Sequence, residues 1–112
     1  MKEIKAYIQT HKLADVTSAL HRIEGVTGMS IVDCRGFGAG WAGTEHASDS
    51  ETFSYRKGVK IEVFCRDDLA ADIMAAIEQA AHTGLKGDGK IYVADISHAV
   101  RISTGETGEA AV

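Results

Sequence analysis

The 112-residue chain contains no proline and only two cysteines, and aromatic residues make up just 6% of it. The missing proline excludes collagen-like, mucin-like and proline-rich disordered classes, all of which depend on that ring. Cys34 and Cys65 lie far apart, without the Cys-x-x-Cys spacing of a zinc or redox site, and read as reduced packing residues. The histidines His11, His21, His46, His82 and His98 form no His-x-His, His-Glu-x-x-His or mixed Cys/His pattern, so no resident metal is expected. Excess charge is also lacking: 12 Lys+Arg against 16 Asp+Glu leave a net −4, without the basic balance that a nucleic-acid binder normally carries. No apolar run approaches the roughly 20 residues needed to span a bilayer, and Met1-Lys2-Glu3-Ile4-Lys5 opens no secretory signal, so the expected location is cytoplasmic and not membrane-embedded.

What is present, 45% hydrophobic and 25% charged residues, fits one ordinary globular domain over residues 1–112. Lys2 to Gln9 alternates Ile4, Ala6 and Ile8 with Glu3, Lys5 and Tyr7, the period-2 pattern of a strand. From Lys12 to Glu24, Leu13, Val16, Leu20 and Ile23 recur at helical spacing, with Gly25 as the stop. Met29 to Arg35 and Gly58 to Arg66 return to strand character. Asp67 is placed to cap a second helix through Leu69, Ile73, Ile77 and Ala80, ending near Gly84, and Lys90 to Ser97 reads as a fourth strand. Strand, helix, strand, strand, helix, strand is the α+β, ferredoxin-like βαββαβ motif, with two helices covering one face of a four-stranded antiparallel sheet. In the last strand Ile91 and Val93 point one way and Tyr92, Ala94 and Ile96 the other, so both faces are apolar. The second face is therefore expected to be buried by another subunit.

Two glycine-rich segments invite a phosphate reading. Gly84-Leu85-Lys86-Gly87-Asp88-Gly89-Lys90 matches the start of a P-loop, but Ile91 takes the place of the hydroxyl residue and the flanking order is helix then strand, which excludes a Walker site. The physical content survives: glycines allow backbone N–H groups to form an anion nest, and Lys90 adds a point charge. Gly38-Ala39-Gly40-Trp41-Ala42-Gly43 follows a strand but opens no helix, so it reads as a glycine hinge in a long loop rather than a dinucleotide fingerprint. Trp41, with Glu45 and His46 further along that loop, is a candidate for partner contact. No Ser/His/Asp or Cys/His set presents itself, so a non-enzymatic role is expected.

Three segments together resemble the PII signalling family: Gly28-Met29-Ser30 leading into Gly36-Phe37-Gly38; His82-Thr83-Gly84 through Gly87-Asp88-Gly89-Lys90-Ile91-Tyr92-Val93; and Val100-Arg101-Ile102 with Thr104-Gly105-Glu106. In that family's terms residues 36–57 stand for the T-loop, 82–90 for the B-loop and 101–112 for the C-loop and tail. The resemblance implies a homotrimer that binds ATP, ADP or AMP in clefts between subunits and regulates a partner, often a membrane transporter, through the T-loop. It assigns nucleotide contacts to Gly28, Met29, Ser30, Gly36, Phe37, Gly38, Thr83, Gly87, Asp88, Gly89, Lys90, Arg101 and Ser103.

Several positions depart from the usual family pattern. Ala39-Gly40 replaces the Arg-Gln that follows Gly-Phe-Gly, Gly58 replaces a lysine that contacts 2-oxoglutarate, and Ser103 replaces the second C-loop arginine. No tyrosine lies between Gly36 and Thr52 to match the one that family members modify by uridylylation. These departures lean the expectation toward a divergent branch regulating inorganic-carbon uptake, with bicarbonate as effector near Gly40, Arg56, Lys57 and Gly58. The alternatives are a nitrogen-regulatory member responding to 2-oxoglutarate, a member associated with heavy-metal efflux, and a small enzyme on the same fold.

Overall fold

In Lys2–Ile8 (β1) every second side chain, Ile4, Ala6 and Ile8, is buried, which is what a half-covered sheet demands of its central strand. The computed structural model describes residues 1–38 and 55–112. After β1 come a 3₁₀ turn at Thr10–Lys12, a helix Leu13–His21 (α1), strands Ser30–Gly36 (β2) and Arg56–Cys65 (β3), a second 3₁₀ turn at Asp67–Leu69, a helix Ala70–Ala81 (α2), and a strand Gly89–Asp95 (β4). The sheet order is β2-β3-β1-β4, and every neighbouring pair is antiparallel. This is the expected ferredoxin-like α+β arrangement.

The register explains the core. Ile4 faces Val63 and Val93 across the sheet, Ala6 faces Ile61 and Ile91, and Ile8 faces Val59, so one side of three strands is aliphatic. Val16 and Leu20 from α1 and Ile73 and Ile77 from α2 close over it. Burying each such side chain contributes about 1.5–3 kcal/mol, and this face supplies the fold's driving force. The opposite face carries Glu3, Lys5 and Tyr7 from β1, Lys60, Glu62 and Phe64 from β3, and Tyr92 from β4, with no element over it among the described residues. There Lys60 pairs with Glu62 at 2.9 Å, which holds the ammonium above and the carboxyl below their ordinary values. Tyr7 and Tyr92 meet edge to face, with ring centres 6.2 Å apart.

Several expected boundaries shift. Helix α1 ends at His21 rather than Glu24; tighter bonds from the Ile23 and Val26 amides to Leu20 and Ile23 then keep Ile23 on the core side without α geometry. Asp67 does not cap α2: a 3₁₀ turn intervenes, and the Asp67 carboxylate instead accepts from the Met1 α-amino group at 2.7 Å. That helix ends at Ala81, short of Gly84. Strand β3 begins at Arg56, not Gly58, so Arg56 and Lys57 belong to a strand, as does Gly36 at the end of β2. Both cysteines are free, Cys65 in the core and Cys34 half-buried, where burial pushes the thiols up. No helix of the described residues is long and apolar enough to cross a membrane.

Candidate ligand clefts at the two ends of the sheet

At the Ile8 end of β1 a cleft of about 490 Å³ is lined by Tyr7 to His11, by Arg56, Lys57 and Gly58, and by Gly87 and Gly89. Register places them together: Ile8 pairs with both Val59 and Gly89, so the start of β4 and the first residues of β3 flank the same strand end. Gly36 pairs with Arg56, which brings Phe37 to this end as well, its ring 6.0 Å from that of Tyr55. Gly40, Trp41, Glu45 and His46 lie outside the described residues.

The loop from α2 to β4 is built around Asp88. One carboxylate oxygen accepts from the Thr83 amide at 2.8 Å and the Gly84 amide at 3.4 Å, and the other accepts from the Thr83 hydroxyl. His82 Nδ1 stands 3.6 Å away. The Thr83 hydroxyl and amide, with help from Gly84 and His82, hold the Asp88 carboxyl below the usual carboxylate range. On the outer side Gln9 donates from Nε2 to the Gly87 carbonyl at 2.9 Å. Gly84, Gly87 and Gly89 all have positive φ, the conformation a backbone nest needs. Lys90 follows directly on the exposed sheet face, paired with Tyr7.

A second cleft, about 610 Å³, lies at the Met1 end. It is lined by Thr27 to Ser30, Glu62, Phe64, Ile96, His98 to Val100, Met1, Lys2 and the two last residues. Beyond it the chain folds into a small hairpin: Val100 bridges Thr107, the Arg101 amide donates to the Glu106 carbonyl at 2.9 Å, and the Gly105 amide donates back to the Arg101 carbonyl at 2.8 Å. The Arg101 guanidinium stands 3.5 Å from the Glu106 carboxylate. Ser103 is exposed in the same turn.

The thirteen residues that the resemblance assigns to one nucleotide therefore fall into two groups. Gly36, Phe37, Gly38, Thr83, Gly87, Asp88, Gly89 and Lys90 lie toward the Ile8 end of β1, whereas Gly28, Met29 and Ser30 line the cleft that reaches Met1, Ser30 being level with Lys5 in mid-strand, and Arg101 and Ser103 follow Val100 beyond that cleft. Six steps of a strand at about 3.3 Å put the two ends of β1 roughly 20 Å apart. Sequence reading missed Tyr7, Gln9, Thr10 and His11 on the first cleft and Thr27, Glu62, Phe64, Ile96 and His98 on the second. Only the strand register, which local motifs do not carry, brings them in.

A four-stranded antiparallel sheet with both helices on one face is the ferredoxin-like arrangement, and the open clefts toward its two ends offer concave, partly polar surface to a ligand. The family described as "Nitrogen regulatory protein P-II" matches residues 1–106, and the chain belongs to that family of signal-transduction regulators. It is 42% identical to the nitrogen regulatory protein P-II of Azospirillum brasilense over 113 aligned positions, covering all of both chains. The same protein of Rhodospirillum rubrum is also 42% identical, and the nitrogen regulatory protein P-II 1 of Escherichia coli 40% identical, each again over the full length of both chains.

Proposed function

We propose that this chain is a regulator that assembles as a homotrimer through its open sheet face and binds adenine nucleotide between neighbouring copies. The observation that carries the reading is that the two residue groups belong to separate clefts toward opposite ends of the sheet. Within one copy the glycine nest with Lys90 and the segment around Met29 and Arg101 are too far apart to grip one ligand closely. Two copies packed with opposite ends adjacent would complete the site. The nest and Lys90 would take phosphates, Arg101 would add a guanidinium, and the cleft at Met29 and Phe64 offers apolar surface to a base. The exposed apolar side chains Val32, Phe64 and Tyr92 on the uncovered face, and the fully exposed Ile102, favour burial by a second copy.

The names of the three relatives above favour nitrogen regulation as the cellular context over the inorganic-carbon expectation. A transporter as the regulated partner rests on the family resemblance alone. Arg56 and Lys57 at the first cleft supply cations for a small anionic effector of either context, although Gly58 leaves one fewer than the family pattern has.

The test is isothermal titration with ATP, ADP and AMP, each alone and with 2-oxoglutarate or bicarbonate, beside sedimentation of the free protein. Nucleotide binding by a trimer supports the reading, and its absence removes it. Tightening of ATP binding by 2-oxoglutarate supports nitrogen control, whereas tightening by bicarbonate alone transfers the protein to inorganic carbon. Tyr92→Asp, which puts a carboxylate on the open face, should yield monomers and abolish nucleotide binding together, although Tyr92 lines neither cleft.

A further inference from the structure

We propose that Asp88 is a positioning residue, not a ligand: its carboxylate, turned into the loop, locks Thr83 and Gly84 and so fixes the backbone of Gly87 and Gly89 that receives an anion. This deepens the nucleotide reading above and rests on it. A carboxylate within a phosphate-binding loop is electrostatically wrong if it faces the ligand, since like charges repel. Here it does not stand free. Its two oxygens take three donors from the chain itself, the Thr83 hydroxyl and the Thr83 and Gly84 amides, with His82 alongside. The side chain is only 21% exposed, in a loop where Leu85 is 77% exposed.

The Thr83 hydroxyl is the hinge of the lock. It donates to Asp88 and accepts from the Leu85 amide at 3.1 Å, so one oxygen ties together three positions of the loop. Gln9 holds the other side through the Gly87 carbonyl, and peptide planarity then turns the Asp88 N–H in the opposite direction. The nest is thus clamped between Gln9, one residue past β1, and the Asp88 carboxylate before any ligand arrives, and an anion need not order it on binding.

The experiment compares wild type with Asp88→Ala, Thr83→Val, Thr83→Ser and the Asp88→Ala/Thr83→Val double variant. Each is titrated with ATP and with inorganic tripolyphosphate, with and without Mg²⁺, and amide exchange over residues 83–89 is followed without ligand. Asp88→Ala and Thr83→Val should each weaken both ligands about tenfold, the double variant no more than the worse single one, because coupled residues are non-additive. Thr83→Ser, which keeps the hydroxyl, should stay within about twofold of wild type. The loss should be the same with and without Mg²⁺, and loop amides should exchange faster in Asp88→Ala while those of α2 do not. Tighter binding in Asp88→Ala would mean the carboxylate faces the anion, and a loss confined to Mg²⁺ would make it a metal ligand; either overturns the proposal, as does a Thr83→Ser variant as weak as Thr83→Val. Should wild type bind neither ATP nor tripolyphosphate, the nucleotide reading fails by itself, and unchanged exchange in Asp88→Ala would then overturn the lock independently.

Discussion

Replacing Gly89 by alanine should be among the most damaging single-methyl additions possible in this chain. Gly89 opens β4 opposite Ile8 with φ +106°, and a Cβ built there overlaps the carbonyl oxygen of Tyr7 and comes within 2.8 Å of its carbonyl carbon. Those are backbone atoms of the central strand, so they cannot swing aside as a side chain would. Gly84, in the same loop, is the natural control: its φ is +86°, but a Cβ there meets nothing within 4 Å. Gly84→Ala therefore costs only the left-handed backbone, about 1–2 kcal/mol. Gly89→Ala adds to a similar strain the parting of β1 from the start of β4. One or two ladder hydrogen bonds at about 0.5–1.5 kcal/mol each are then lost, with the strained conformation itself worth about 1–3 kcal/mol. The total is about 1.5–6 kcal/mol, whose upper half is a large share of the 5–15 kcal/mol typical of a domain. Urea unfolding of both variants at one protomer concentration, extrapolated linearly, reads the difference. Equal losses in Gly84→Ala and Gly89→Ala would refute the reasoning, because the close approach to Tyr7 would then carry no weight.

Ile61, fully buried between Ala6 and Ile31 on β1 and β2, should cost about 2–5 kcal/mol when cut to alanine, read by the same unfolding assay; a loss below 1 kcal/mol would show that the core collapses around the gap. Asp88, with its carboxyl held below the ordinary value near 4, contributes stability that is fully present above about pH 4 and is lost as pH falls through its lower folded value. Asp88→Asn should flatten that acid limb in a stability–pH profile, and an unchanged limb would remove the carboxylate from the account.

The parts of the fold open to sequence reading are those where one face is buried. Ile4, Ala6 and Ile8 alternate because β1 has helices on one side, and Val59, Ile61, Val63 and Cys65 alternate for the same reason. Periodicity reports which side a residue faces, not which hydrogen-bond ladder holds it, and so Ile23 reads as helical although it sits in a tightened turn. Asp67 has the chemistry of a cap, but its partner turned out to be an amine 66 residues away, which no local propensity encodes. The glycines of the loop before β4 are legible, whereas its internal lock between Thr83 and Asp88 and its tether to Gln9 depend on side-chain direction and on register. The family motifs name one binding site, and the fold divides it between separate clefts toward opposite ends of the sheet. On the proposed reading that division has a thermodynamic consequence. A ligand that needs residues from two copies binds the assembled protein and not the separated chains, so nucleotide must stabilise the trimer by as much as assembly strengthens nucleotide binding. Assembly and sensing are then two sides of one equilibrium.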